Sequence, residues 1–198
     1  MLKNTKFAKE ASEKIGSLFR ALPFHPTTYT LLSVLFALVG LASWISGFVI
    51  EAFALFILAM LIDAIDGAVA RAKNLVSKKG AFLDGISDRL VEFFLLLCLM
   101  HSFSSNSGIA AGLVVILFFG TCMTSFVKAY AEHSGLLSNV DAKKLPGLLE
   151  RAERVVLLML VMVLVLLNQG TYAAYVIWIT AFLAFVTFVQ RVLTVARN

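Results

Sequence analysis

Charge is scarce in this chain. Only 15% of its 198 residues are Asp, Glu, Lys or Arg, against about a quarter in soluble domains, while 60% are hydrophobic and the mean hydropathy is +0.92. That balance excludes both a disordered segment and a soluble enzyme. Cysteine is sparser still: Cys98 and Cys122 each sit inside an apolar run, which excludes a disulfide framework and a thiolate metal site. Residues 1–24 lack the continuous apolar core and small-residue cleavage site of a secretory signal peptide. Heptads, low-complexity tracts and long linkers are also missing, so residues 25–198 read as one membrane domain and residues 1–24 as an appended helix.

What the chain has in abundance is long apolar runs. Six can be drawn, at 28–48, 49–70, 82–101, 108–130, 148–168 and 171–192, each near the ~20 residues a helix needs to cross ~30 Å of hydrocarbon. The turns around Ser46-Gly47-Phe48, Ser102 to Ser107 and Asn168-Gln169-Gly170 contain no Lys or Arg. Basic residues instead fill the N-terminal segment, the 71–81 loop, the 143–154 region and the C-terminus, with Arg89, Lys128 and Arg191 on helices near those ends. By the positive-inside rule both termini are cytoplasmic. The net charge of +5 is therefore a topology signal, and a nucleic-acid partner is excluded because no soluble basic patch forms. Phe7, Ala11, Ile15, Leu18, Phe19 and Leu22 recur at helical spacing opposite Lys3, Lys6, Lys9, Glu13 and Arg20. That pattern suits an amphipathic helix in the cytoplasmic interface, or an arm packing on the protein's own loops. The expected fold is an all-α integral membrane protein of six transmembrane helices preceded by an N-terminal interfacial amphipathic helix.

Four aspartates contradict this apolar setting. Asp63 and Asp66 are three apart and Asp84 and Asp88 four apart, so each pair shares one face of a helix. The polar loop Lys73 to Lys79 joins the two helices, and antiparallel packing then brings four carboxylates to similar depth near the cytoplasmic face. An Asp at the centre of a membrane helix costs about 2.5–3.5 kcal/mol, and four cost on the order of 10 kcal/mol, less near the interface. Pairing with Arg71, Arg89 or the loop lysines is the structural alternative; it fails because four like charges at close range raise one another's pKa unless cations intervene. With no His or Cys nearby, an all-oxygen set favours Mg²⁺ or Mn²⁺ over zinc. Four carboxylates suit two such ions, the arrangement used in phosphoryl transfer. Gly67 allows a ligand close to the backbone, Ala70 keeps the same surface low, Arg71 offers a fork for phosphate oxygens, and Gly80 opens the helix that carries Asp84.

At these residues the chain resembles the CDP-alcohol phosphotransferase family. The family signature D-x2-D-G-x2-A-R-x8-G-x3-D-x3-D is matched without a gap by Asp63, Asp66, Gly67, Ala70, Arg71, Gly80, Asp84 and Asp88. The resemblance implies six transmembrane helices, a homodimer, and transfer of a substituted phosphate from a CDP-linked alcohol, CDP-diacylglycerol or CDP-archaeol, to a second alcohol with release of CMP. By position it implies that Asp63 and Asp84 touch both metals, Asp66 the first and Asp88 the second, with Asp88 also the general base. It further implies that Gly67, Arg71 and Ser77 hold the cytidine diphosphate, together with a turn at Pro26, Thr27, Thr28 and Tyr29. The family often has Pro-Asn there, whereas this chain has Pro26-Thr27.

The acceptor is addressed by cations elsewhere. Lys128, Arg151, Arg154 and Arg191 fall on the aspartates' side of the expected topology, and so many cations suit a phosphate-bearing acceptor better than glycerol or serine. They resemble, in helix and spacing, the acceptor-phosphate site of phosphatidylinositol phosphate synthases, which implies inositol 1-phosphate as acceptor. Glycerol 3-phosphate is the alternative with the same chemistry. The plainer account is that Arg151 and Arg154 are topological anchors while Lys128 and Arg191 snorkel to the interface. A divalent-cation transporter is the competing class, since intramembrane carboxylates also mark ion pathways. Against it, no comparable polar residues continue to the far face. His25, before Pro26 in a turn, reads as structural or surface.

Overall fold

In the computed structural model, residues 25–197 are described and they are all-helical. The expected interfacial helix at residues 1–24 lies outside the described residues. The chain divides into two compact units, one ending at Cys98 and one beginning at Leu99.

The first unit contains helix α1 (Pro26–Ile45), helix α2 (Val49–Ala72) and most of helix α3 (Lys78–Ser102). Helix α1 starts where Pro26, which has no amide hydrogen to leave unpaired, occupies the first turn and His25 caps it. It ends at Gly47, whose φ of +88° is open to glycine at no steric cost, as the Phe48 N–H closes onto the Ser43 carbonyl. Gly40 lets α2 approach closely: a Cβ there would lie 3.2 Å from Phe56 Cε2. Helix α2 ends in the same type of turn, with Asn74 at φ +57° and the Leu75 N–H bonded to the Ala70 carbonyl. Ser77 then caps α3, its Oγ accepting from the Gly80 N–H at 3.0 Å.

The second unit contains helix α4 (Ser107–Val115), a π-helical segment (Ile116–Met123), helix α5 (Thr124–His133), the short helix α6 (Asn139–Lys143), helix α7 (Arg151–Leu166) and helix α8 (Gly170–Ala196). Asn106 caps α4 by accepting from the Ile109 N–H. Phe119 of the π segment meets Phe185 and Phe188 of α8 with ring centroids 5.1 and 5.2 Å apart.

Two helices bury mostly small residues and expose many bulky apolar ones. Helix α8 buries Ala173, Thr180, Ala181, Ala184 and Thr187 and exposes Tyr175, Ile179, Phe182 and Phe185. Helix α1 likewise buries Ser33, Ala37 and Gly40 and exposes Leu31, Leu35 and Leu38. Small residues inside and bulky apolar ones outside fit a lipid solvent, where close helix packing rather than apolar burial drives association. Among the described residues four segments are long and apolar enough to cross a bilayer: Pro26–Ile45, Val49–Ala72, Ser107–His133 and Gly170–Ala196. Of the other two expected crossings, α3 carries charged residues from Lys78 to Glu92 and α7 has only 16 residues, about 24 Å of rise.

Candidate metal and nucleotide site

The site of the first unit is assembled by the two turns around the polar loop. The turn at Asn74 stops α2 two helical turns after Asp66, and the Ser77 cap starts α3 two turns before Asp84. Carboxylate oxygens of Asp63, Asp66 and Asp84 consequently lie within 4.8 Å of one another. Three oxygens at that separation, all from carboxylates, fit a hard divalent cation that replaces their mutual repulsion with shared attraction. Asp88 lies one turn further along α3; it is buried, and its Oδ2 is 3.5 Å from Arg89 Nη1.

A cavity of roughly 320 Å³ opens beside the cluster, within the range of small-ligand sites. Asp66 and Asp84 line it together with Gly67, Arg71, Ser77, Pro26 and Thr27. Thr28 and Tyr29 are not part of that lining; the Thr28 N–H bonds the His25 carbonyl and Tyr29 is buried. Gly67 lies under the Arg71 side chain: a Cβ there would be 3.4 Å from Arg71 Nη1. The guanidinium folds back over the preceding turn of its own helix, so the i, i+4 spacing of Gly67 and Arg71 places a phosphate-binding fork on the cavity wall.

Three further residues of this unit, outside the signature, stand out in the structure. Thr30 Oγ donates to Asp66 Oδ2 at 2.6 Å, across 36 residues of chain. His25 lines the cavity. Glu92, one turn beyond Asp88 and 1% exposed, extends the acidic face of α3 into the core; its spacing from Asp84 and Asp88 was the available clue. Were Asp66 to hold a metal, Thr30 would orient its carboxylate from outside the ligand set, and loss of such a partner costs about 10–100-fold in metal affinity. Thr30→Val, which keeps the shape and removes the hydroxyl, should weaken Mn²⁺ binding about tenfold or more by this rule, measured by titration calorimetry. Unchanged Mn²⁺ affinity would separate Thr30 from the metal site.

In the second unit the predicted cations attach to one strip. Arg191 Nη1 donates to the Thr124 carbonyl at 2.8 Å and its Nε to the Pro146 carbonyl at 3.3 Å. Arg154 is buried against Gly120, where a Cβ would lie 2.9 Å from its Cδ. The π segment ends between these two positions, and the Thr124 hydroxyl donates to the Gly120 carbonyl. Lys128 follows Thr124 by four residues on α5, and Arg151 precedes Arg154 by three on α7, so each shares the face of its neighbour. Gly147 completes the strip: a Cβ there would meet Thr187 Cγ2 at 2.9 Å and Arg191 Nη2 at 3.4 Å.

Comparison with known proteins gives this geometry a context. Residues 24–186 match the family model described as CDP-alcohol phosphatidyltransferase. The chain is 31% identical to the archaetidylinositol phosphate synthase of Aeropyrum pernix over 73% of its own length and 69% of that protein's. It is 32% identical to the phosphatidylinositol phosphate synthase of Mycobacteroides abscessus over 80% of its length and 70% of the other. The crystal structure of Mycobacterium tuberculosis phosphatidylinositol phosphate synthase with CDP-DAG bound superposes with a TM-score of 0.79 at 22% identity, covering 94% of each chain. A second structure of that enzyme, in complex with manganese and citrate, gives 0.78 at 22% identity, covering 93% of this chain and 88% of that one.

Proposed function

Because the chain belongs to the CDP-alcohol phosphatidyltransferase family, and is thus a transferase rather than an ion transporter, we propose that it transfers the phosphatidyl or archaetidyl group of a CDP-lipid to inositol 1-phosphate. The observation that carries this reading is the convergence of Asp63, Asp66 and Asp84 at the edge of a cavity walled by Arg71 and Ser77. All six apolar runs cross the bilayer, both termini and the aspartates face the cytoplasm, and the enzyme works as a homodimer.

Asp63, Asp66 and Asp84, with Asp88, hold two divalent ions, Mg²⁺ or Mn²⁺, and these supply charge stabilisation for the attacking and leaving oxygens. Arg71, Gly67 and Ser77 hold the cytidine diphosphate, with the turn from Pro26 to Tyr29 beside them. Asp88 takes the proton of the acceptor hydroxyl as that oxygen bonds to the lipid-side phosphorus. The bond from that phosphorus to the CMP oxygen breaks, and CMP leaves with the electron pair. Lys128, Arg151, Arg154 and Arg191 bind the acceptor phosphate, which carries close to two negative charges at neutral pH. The Arg154 and Arg191 contacts with the 120–124 strip and the activities named for the relatives support this choice of acceptor.

A panel with purified protein tests it. With CDP-diacylglycerol or CDP-archaeol as donor, CMP release should be fastest with inositol 1-phosphate and far slower with free inositol or serine. Faster release with glycerol 3-phosphate would reassign the acceptor, and no release with any acceptor would sink the reading.

A further inference from the structure

We propose that His25 recognises the cytosine of the donor nucleotide through its Nε2–H. The inference rests on the CDP-lipid reading above and adds a residue to the donor site that lies outside the family signature.

Two contacts settle the state of the ring. The Thr27 main-chain N–H reaches His25 Nδ1 at 3.3 Å, and Thr27 Oγ lies 3.0 Å from the same nitrogen. A main-chain amide only donates, so Nδ1 is the acceptor and the neutral ring carries its proton on Nε2. The cap at the start of α1 thereby fixes a tautomer. One edge of the imidazole is committed to the helix terminus, and the other is left as a single hydrogen-bond donor on an exposed side chain that lines the cavity.

The position of that donor selects what it meets. Thr30 marks the level of the carboxylate cluster on α1, because its hydroxyl is bonded to Asp66. His25 precedes Thr30 by five residues, about 7.5 Å along the helix at 1.5 Å per residue. A diphosphate anchored at the carboxylates and Arg71 therefore occupies the deep end of the cavity, and its nucleoside extends outward to the level of His25. Cytosine presents acceptors there, N3 with O2 beside it. Uracil shares O2 but presents an N3–H, so an Nε2–H aimed at N3 meets it donor to donor. Sites built to pair a specific hydrogen-bonding group reject analogues that leave it unpaired.

The test separates the cap from the donor. Ser, Asp and Asn all cap helices well, but of these only Asn also offers an N–H from its side chain. Full-length protein is compared as wild type, His25→Ser, His25→Asp and His25→Asn, reading the KM for CDP-diacylglycerol, CMP and UMP binding by calorimetry, and the melting temperature. His25→Ser and His25→Asp should keep the melting temperature, weaken CMP about tenfold as expected for one lost hydrogen bond, and leave UMP nearly unchanged. His25→Asn, whose amide nitrogen lies one bond short of the imidazole Nε2, should recover part of the CMP affinity. An unchanged CMP to UMP ratio in His25→Ser, with CMP bound and released normally by the wild type, would overturn the His25 assignment alone. Failure of the wild type both to bind CMP and to release it from the CDP-lipid would overturn the donor reading beneath it.

Discussion

Asp88→Asn should abolish nearly all CMP release while CDP-lipid still binds. The substitution keeps the shape of the side chain and removes its capacity to accept the acceptor's proton; loss of a positioned base costs about 10²–10⁴-fold, and loss of a metal ligand compounds it. The structure sharpens the contrast with the other carboxylates. Asp63, Asp66 and Asp84 form the close group, whereas Asp88 sits one turn along α3 beside Arg89. Asp63→Asn should therefore weaken Mn²⁺ binding itself, while Asp88→Asn should leave much of it in place. Turnover at the wild-type rate in Asp88→Asn at saturating Mg²⁺ would show that another group takes the proton.

Arg191→Ala should raise the KM for inositol 1-phosphate about ten- to hundredfold, the range for losing charge-assisted hydrogen bonds, with the CDP-lipid KM little changed. An effect on one substrate alone is the signature of lost ground-state binding for that substrate. Arg191 also ties α8 to the Thr124 and Pro146 carbonyls, so the variant changes structure as well as charge. Arg191→Lys separates the two: it restores the cation without the fork that spans both carbonyls. If binding the phosphate is what matters, Lys should recover part of the acceptor KM. Equal increases in both KM values for Ala and Lys would assign Arg191 a purely structural role.

The acidic cluster was legible because an isolated carboxylate in an apolar helix is expensive, and four at matched distances from one loop have few explanations; the structure brings Asp63, Asp66 and Asp84 together and leaves Asp88 one turn away. The turns were legible too. Gly47 and Asn168 lie in two of the turns that the sequence marked by their lack of Lys and Arg, and each has a positive φ there. The crossing count was less secure, because apolar runs specify composition while helix ends depend on local hydrogen bonds: the fifth run begins at 148, yet its helix starts only at Arg151. His25 was read as structural or surface, and the cap it makes agrees with that reading. Its place on the cavity wall is visible only once the helices are packed.

By itself the sequence determined the solvent, the helical class, the four acidic positions and the family to which they belong. The first three follow from composition and from spacing along helices, which a 3.6-residue period reads directly, and the family follows from resemblance to its signature. Tertiary structure decided which groups meet across long stretches of chain. Thr30 reaches Asp66 over 36 residues and Arg191 reaches Thr124 over 67. It also decided that Gly120 is narrow because Arg154 passes over it and Gly147 because Thr187 does. No local pattern encodes such pairings: a lone Thr, Gly or Arg in a membrane helix has the same sequence neighbours whether it faces lipid, a neighbouring helix or a ligand, and only packing chooses among them.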